Sequence, residues 1–437
     1  MKKLFKLIVA SALMLSLVAC GPGQAPQESG SSTQSNQEGT ASSGTSTDET
    51  APVKEIGGDL VVWYGIEEQG KAIIEAFNAH YPNVNVRLEV VGMEAPDKLA
   101  LDGPSGIGGD VIFLNHDAIN TLVDDGFLEP FPDDIKARLD DVILDNAIDM
   151  ATKNGNLYGV PFTLENYGLL YNKDLVDGTP ETFEELIEFA HSYNDPSIDK
   201  YAMRWLAFDF YHSYFIFDTF GFRLFGPNGD DWRNPGFDSP EFAAGLAFYQ
   251  SLREIFDVDA ADTNNNEFTF NAFARGEVPY IVAHSWLANQ AAENGIRVGA
   301  TKLPTINGIQ PRNFIGSVIM GVSSYSKNFD AAFAFAEFMA TKEAASIVYE
   351  ITGVGPALKD ISGIDGLAED EVLLGLAEQA PYTFSAPAIP EFGLIWVPMM
   401  DTLTFVWDST LTISEAQIKA MESYELLLQA DGRSMYE

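Results

Sequence analysis

Cysteine is nearly absent from the 437 residues; Cys20 is the single one. An internal disulfide and any multi-cysteine zinc site are thereby excluded. Positive charge is scarce, with 25 Lys+Arg against 64 Asp+Glu and a formal net charge of -39. A nucleic-acid surface needs Lys and Arg to displace counterions from phosphates, so that function class is excluded. Electrostatic adhesion to anionic lipid is disfavoured for the same reason. The histidines, His80, His116, His191, His212 and His284, are scattered without a ligand spacing such as H-E-x-x-H, so no metal site is expected. Gly103 to Gly109 is glycine-rich, but no G-K-[ST] follows, so no phosphate loop and no cofactor is expected. What the chain does have is apolar mass: 46% hydrophobic and 12% aromatic residues, enough for sizeable cores. Its length exceeds the ~250–300 residues at which one core stops growing, so two lobes or domains are expected.

The first residues read as an address. Met1 to Lys6 is basic, Leu7 to Val18 is apolar apart from two serines, and Ala19-Cys20-Gly21 follows. The apolar stretch is too short to span a ~30 Å hydrocarbon layer comfortably and predicts a signal peptide over 1–19. Leu17-Val-Ala-Cys20 resembles the lipobox of bacterial lipoproteins, which implies a diacylated Cys20 after cleavage. From Gly21 to about Gly58 the residues are mostly Gly, Ser, Thr, Gln, Asn, Pro and Glu. Such a segment cannot bury enough surface to offset ordering entropy, so residues 20–57 are expected to be a tether. The implied location is the extracellular face of the cell membrane, held by lipid. No later stretch reaches the ~18 apolar residues of a membrane span.

Beyond the tether, short apolar strands alternate with helical patterns. Asp59–Tyr64, Val84–Val91 and Gly108–Leu114 read as strands, and Glu67–Tyr81 as a helix between the first two. This alternation predicts a parallel α/β sheet, with ligands gathering at the carboxyl ends of its strands, near Tyr64–Glu68 and Asn115–Asp117. Tyr201–Phe225 is dense in aromatic residues, most of them expected in a core. Asp330–Thr341 and Glu343–Glu350 form a helix pair, and Leu394–Leu428 reads as a C-terminal helical region.

Several segments then carry a resemblance. They are Gly109–Asp117, Gly155–Leu175, Phe270–Glu277, Ala283-His-Ser-Trp286, Gly299–Thr305 and Pro387–Trp396. In this order they resemble extracellular solute-binding proteins of the maltose/maltodextrin-binding type, the substrate-binding subunits of ABC importers. The resemblance covers about 58–430. It implies an α/β, two-lobed periplasmic-binding-protein-like fold with three hinge crossovers, near Thr163–Asn166, Ile315–Ile319 and Leu367–Glu371. The N-terminal lobe would comprise 58–162 plus 319–367, and the C-terminal lobe 166–315 plus 372–437. It further implies a monomer that binds a maltodextrin-like oligosaccharide between its lobes and delivers it, unaltered, to membrane permease subunits.

Sugar recognition needs flat rings against pyranose C–H faces, and carboxylates or amides that accept from hydroxyls. Positions matching the family's contacts are Trp286 and Trp396 as platforms and Glu165 and Asp117 as acceptors. Glu67 or Glu68 falls near the acidic position after the first strand, and Asp209, Phe210 and Tyr211 near an acid–aromatic cluster. Each has a plainer alternative. Trp396 is either a platform or a core residue, Glu165 a hydroxyl acceptor or a partner for crossover backbone, and Asp117 a ligand group or a helix N-cap. The chain departs from the pattern at Leu114, where a tryptophan is common, and at Ala118 and Met400, which replace basic contacts.

Two other readings stay open on the residues. A surface-tethered glycosidase would use a carboxylate pair, yet 64 acidic residues make chance pairs abundant. A solute-binding protein for a polyamine would set carboxylates such as Glu67, Asp117, Glu165 and Asp209 beside aromatic rings.

Overall fold

Leu60, Val62, Trp63 and Tyr64 are buried in the strand Gly58–Tyr64, which makes it a central strand. In a computed structural model, which describes residues 55–263, 265–387 and 389–436, it pairs in parallel with Val84–Val90 on one side and Val111–Asn115 on the other. Gly109 precedes the third strand because a Cβ there would lie 2.8 Å from the Trp63 ring. Asp110 beside it does structural work. Its carboxylate accepts from the Val61 N–H at 2.8 Å and from the Ser326 hydroxyl at 2.7 Å.

The first sheet has five strands, completed by Val318–Val322 and Gly159–Pro161. The expected parallel arrangement holds except at Val318–Val322, which runs antiparallel to both neighbours. Val318 pairs with Asn115, so this strand enters at the carboxyl end of Val111–Asn115 and must run backwards. Around this sheet lies a hydrophobic core drawn from Leu60–Phe162 and Ile319–Leu367. The helix Glu67–His80 buries Ile73 and Phe77 in it, with Phe77 edge-on to Phe335 at 4.9 Å.

The second lobe is built on a four-stranded sheet in the order Val298–Thr301, Gly168–Asn172, Tyr280–Ala283, Met203–Arg204. Only its last pair is parallel. Its main core absorbs most of the 201–225 aromatics, including Trp205, Phe208, Phe210, Tyr214, Phe215, Phe217 and Phe222. Burying such rings with few voids is a large favourable term, and their polar edges are satisfied: the Trp205 indole donates to Ser213 Oγ at 3.2 Å. The C-terminal region is two helices, Trp396–Trp407 and Ile413–Ala430, the latter started by a capping box between Thr412 and Glu415.

The chain passes between the lobes along paired segments. Glu165 and Gly316 exchange two backbone hydrogen bonds of 2.8 Å each, and the Phe162 N–H donates to the Val318 carbonyl at 3.0 Å. The Leu164 N–H reaches the Gly355 carbonyl at 3.2 Å, and the helix Glu371–Ala377 then packs on Val298–Thr301. Among the described residues no helix is long and apolar enough to cross a membrane. The expected signal peptide, Cys20 and all but the last residues of the tether lie outside the described residues.

Candidate functional site

A cleft of about 620 Å³ opens between the lobes over these crossover segments. Thr163, Glu165, Gly316 and Ser317 belong to its lining. One wall is the carboxyl end of the strand Val111–Asn115, with Asn115, His116 and Asp117, joined by Gln69 from the first turn of Glu67–His80. The other wall comes from two element starts in the second lobe. Asp209, Tyr211 and His212 sit at the head of the helix Phe210–Thr219, and His284 and Trp286 at the turn from Tyr280–Ala283 into Ser285–Glu293. Trp396 enters from the C-terminal region.

Hydrogen bonds hold the floor in place. The Ser317 hydroxyl donates to the Thr163 carbonyl at 2.6 Å, and the Thr163 hydroxyl accepts from the Val318 N–H at 3.0 Å. That hydroxyl also faces Glu165 Oε1 at 3.3 Å. Burial raises the Glu165 carboxyl to about 7, and the Thr163 hydroxyl only partly opposes this. His284 Nδ1 is 3.9 Å from Glu165 Oε2, too long for a hydrogen bond. Burial holds the His284 imidazole down to about 3, with repulsion from His212 adding to the effect.

Asp209 is the N-cap of its helix, accepting from the Tyr211 N–H at 2.8 Å, and it lies 3.1 Å from His212 Nδ1. Burial works against its ionisation, but His212 and the backbone N–H groups of Tyr211 and His212 outweigh it and hold the carboxyl below its ordinary range. The Tyr211 ring stacks on His284 with centroids 5.9 Å apart. Trp286 meets Phe270 edge-on at 5.1 Å, and Trp396 meets Phe392 likewise at 4.9 Å, so each indole is braced from one side. Both are half-buried.

Of the nine expected ligand residues, Asp117, Glu165, Asp209, Tyr211, Trp286 and Trp396 line this cleft. Three do not. Glu67 is exposed and paired with Lys71 at 2.6 Å, and Glu68 is exposed beside it; the helix turns Gln69 to the cleft instead. Phe210 is 2% exposed and packs on Tyr214, Phe217 and Phe222. Successive helical residues point about 100° apart, so a helix capped by Asp209 that shows Tyr211 to the cleft sends Phe210 into the core.

The residue reading missed the histidines. His116, His212 and His284 all line the cleft, and His116 Nε2, His212 Nε2 and His284 Nδ1 are buried without a hydrogen-bond partner. The available signal was position, since His116 and His284 each follow a strand end directly. Among the described residues no group of three or more His, Cys, Asp or Glu is placed to hold a metal ion.

Comparison with known proteins gives a consistent set. Residues 66–346 match the family described as bacterial extracellular solute-binding protein. The chain is similar to a galactooligosaccharide-binding protein of Bacillus subtilis (strain 168), 28% identical over 445 residues that cover 97% of this chain and 99% of that one. It is also similar to a maltooligosaccharide ABC transporter solute-binding lipoprotein of Streptococcus pneumoniae serotype 4, 26% identical over 441 residues covering 98% and 96%. Among solved structures, a cyclo/maltodextrin-binding protein complexed with maltotetraose aligns with a TM-score of 0.72 and 29% identity, covering 85% of this chain and 97% of that one.

Proposed function

We propose, from the premise that this chain belongs to the bacterial extracellular solute-binding protein family, that its cleft captures an oligosaccharide of the malto- or galacto-type for an ABC importer. One observation carries the reading: braced aromatic faces, Trp286, Trp396 and Tyr211, stand beside the carboxylates Asp117, Glu165 and Asp209 in one cleft. Rings of this kind cover sugar C–H faces while carboxylates take hydroxyl protons, and charge assistance offsets part of the cost of burying the acids. Relatives named for galacto- and malto-oligosaccharides support the class of ligand.

The action is closure without bond chemistry. The N-terminal lobe is taken as 58–162 plus 319–367 and the C-terminal lobe as 166–315 plus 372–437. A ligand that touches both walls favours the form in which the lobes approach, and that form is the one presented to the permease. Cys20, carrying lipid at the end of the 20–57 tether, would keep the protein at the outer face of the membrane. A similar pneumococcal protein bears the name lipoprotein, which supports this. Calorimetric titration against malto- and galacto-oligosaccharides of two to six units tests the reading. Binding in the micromolar range, about -8 kcal/mol, is expected. Heat from polyamines and none from any saccharide would defeat it.

A further inference from the structure

Away from the cleft floor the lobes meet again, where two helices come together. One, Lys342–Thr352, buries Ala344, Ala345 and Val348 in the core around the first sheet. The other, Ser285–Glu293, buries Leu287, Ala288 and Ala291 beside Leu170 and Ile281 of the second sheet. A helix leaves its last four carbonyls without partners of its own. At the end of Lys342–Thr352 the Tyr349 carbonyl accepts from the Gly353 N–H at 2.7 Å. The Ile351 carbonyl is met from the other lobe, by the side-chain amide of Asn289 at 3.0 Å. Gly353 suits this meeting in two ways. Its φ of +70° ends the helix in the left-handed region, and a Cβ on it would stand 2.9 Å from Asn289 Cβ.

The helix end is fixed to its own side. The Tyr349 hydroxyl donates to Asp370 at 2.8 Å, and the other oxygen of that carboxylate caps the helix Glu371–Ala377 by accepting from the Val372 and Leu373 N–H groups. When the lobes part, the end of Lys342–Thr352 therefore stays in place and the Asn289 bond breaks. Each of the two helices also faces the cleft, through Trp286 on one and Val348 and Thr352 on the other. Their contact thus stands at the edge of the cleft and forms as the walls approach. Asn289 itself lines a separate space of about 280 Å³, together with Tyr349, Gly353 and Asp370.

We propose that Asn289 is a positioning residue for ligand capture: it touches no ligand, yet it sets affinity by fastening the closed form at the Ile351 helix end. The inference rests on the closure reading above and extends it to a residue outside the site. Observed affinity includes the free energy of closing, so a bond made only in the closed form strengthens binding and slows release. Ligand enters the open form, in which Asn289 and Ile351 are apart, so the association rate is left unchanged. A neutral hydrogen bond of this kind contributes roughly 2- to 12-fold. Asn289→Asp keeps the shape, removes the donor and sets a carboxylate against the negative end of a helix, for a loss of at least roughly fivefold.

The test titrates the whole chain with maltotetraose and with galactotetraose at pH 7.5, by calorimetry and by stopped-flow tryptophan emission. The saccharide that the wild type binds more tightly is then used on Asn289→Ala and Asn289→Asp, each checked for folding by its melt. Affinity is expected to fall roughly 2- to 12-fold in Asn289→Ala and at least roughly fivefold in Asn289→Asp, through faster dissociation. A smaller loss in Asn289→Asp overturns the proposal. So does a loss carried by slower association, because the open cleft would then be what had changed. If the wild type binds neither saccharide, the oligosaccharide reading fails and the fastening is judged on the ligand-free chain. Spin labels on Leu101→Cys and Ile418→Cys, exposed positions on the two lobes, in a Cys20→Ser background, report the interlobe distance. The short-distance population is expected to shrink in Asn289→Asp, and an unchanged distribution overturns the proposal.

Discussion

Glu165 is the most exacting residue of the cleft, because its carboxyl is raised from 4.5 to about 7 by burial with no cation to compensate. Consider Glu165→Gln, which keeps the shape and removes the titration. A carboxyl whose pKa is higher folded than unfolded binds its proton more tightly in the folded chain. Its contribution is therefore fully present below about pH 4.5 and is lost as pH rises through about 7. The shift of ~2.5 units corresponds to ~3.4 kcal/mol at most. The side chain retains 19% exposure, so part of the charge reaches solvent and a loss of about 1–3 kcal/mol is the working figure.

Glu165→Gln escapes that loss. Urea unfolding of both proteins, followed by tryptophan emission at half-unit steps from pH 5 to 8.5, should show the variant gaining on the wild type as pH rises, by about 1–3 kcal/mol across the range. His284 titrates in the opposite sense, its stabilising effect being lost as pH falls below 6.5 towards about 3, but both proteins carry it and it largely cancels in the difference. A difference that stays flat with pH would refute the claim that the folded chain holds this acid up. The same variant gives up a charged acceptor, so oligosaccharide affinity should drop at pH 8 by about 1.5–3 kcal/mol, roughly 10- to 150-fold. Greater stability paired with weaker binding is the signature of a group placed for a ligand at some cost to the fold.

Three further outcomes are expected. Trp286→Ala and Trp396→Ala should each weaken oligosaccharide binding by about 1–3 kcal/mol in titration, since each removes one braced ring face. Phe210→Ala should cost about 3–5 kcal/mol in urea unfolding, while changing affinity less than Trp286→Ala does, because its ring fills the core and not the cleft. Cys20→Ser should move the protein made in a bacterial host from the detergent phase to the aqueous phase on Triton X-114 partition; retention in the detergent phase would argue against a lipid on that residue.

The parts of the site that could be read from the chain are those lying next to a strand end. Asp117 follows the strand Val111–Asn115 and Trp286 follows Tyr280–Ala283, and both strands stand out as short continuous apolar runs, buried on both faces, that can be located without any knowledge of the fold. Glu165 was accessible through the motif around it. The error at Phe210 arose from helix phase: one residue of offset exchanges the core face for the cleft face, and only the cap at Asp209 settles where the first turn begins. The error at Glu67 and Glu68 is of the same kind, with Gln69 taking the inward position. The reversed strand Val318–Val322 has another cause. Its direction depends on the chain returning from the second lobe at Gly316, a long-range fact that no local pattern carries.

The histidines show why a cleft of this kind resists a residue-by-residue search. His116, His212 and His284 have no ligand spacing, and each alone reads as an ordinary core or surface ring. Their chemistry follows from the walls they share: His284 stacks against Tyr211 and meets His212 edge-on at 5.5 Å, while His116 stands on the opposite lobe and is tied to the crossover through Ser317. Placed there, the imidazoles bring ring nitrogens capable of hydrogen bonding to both walls of the cleft. On the proposed reading, the imidazoles of His116, His212 and His284 beside the carboxylates of Asp117, Glu165 and Asp209 would meet the hydroxyl groups of a sugar with ring nitrogens on one hand and charged acceptors on the other.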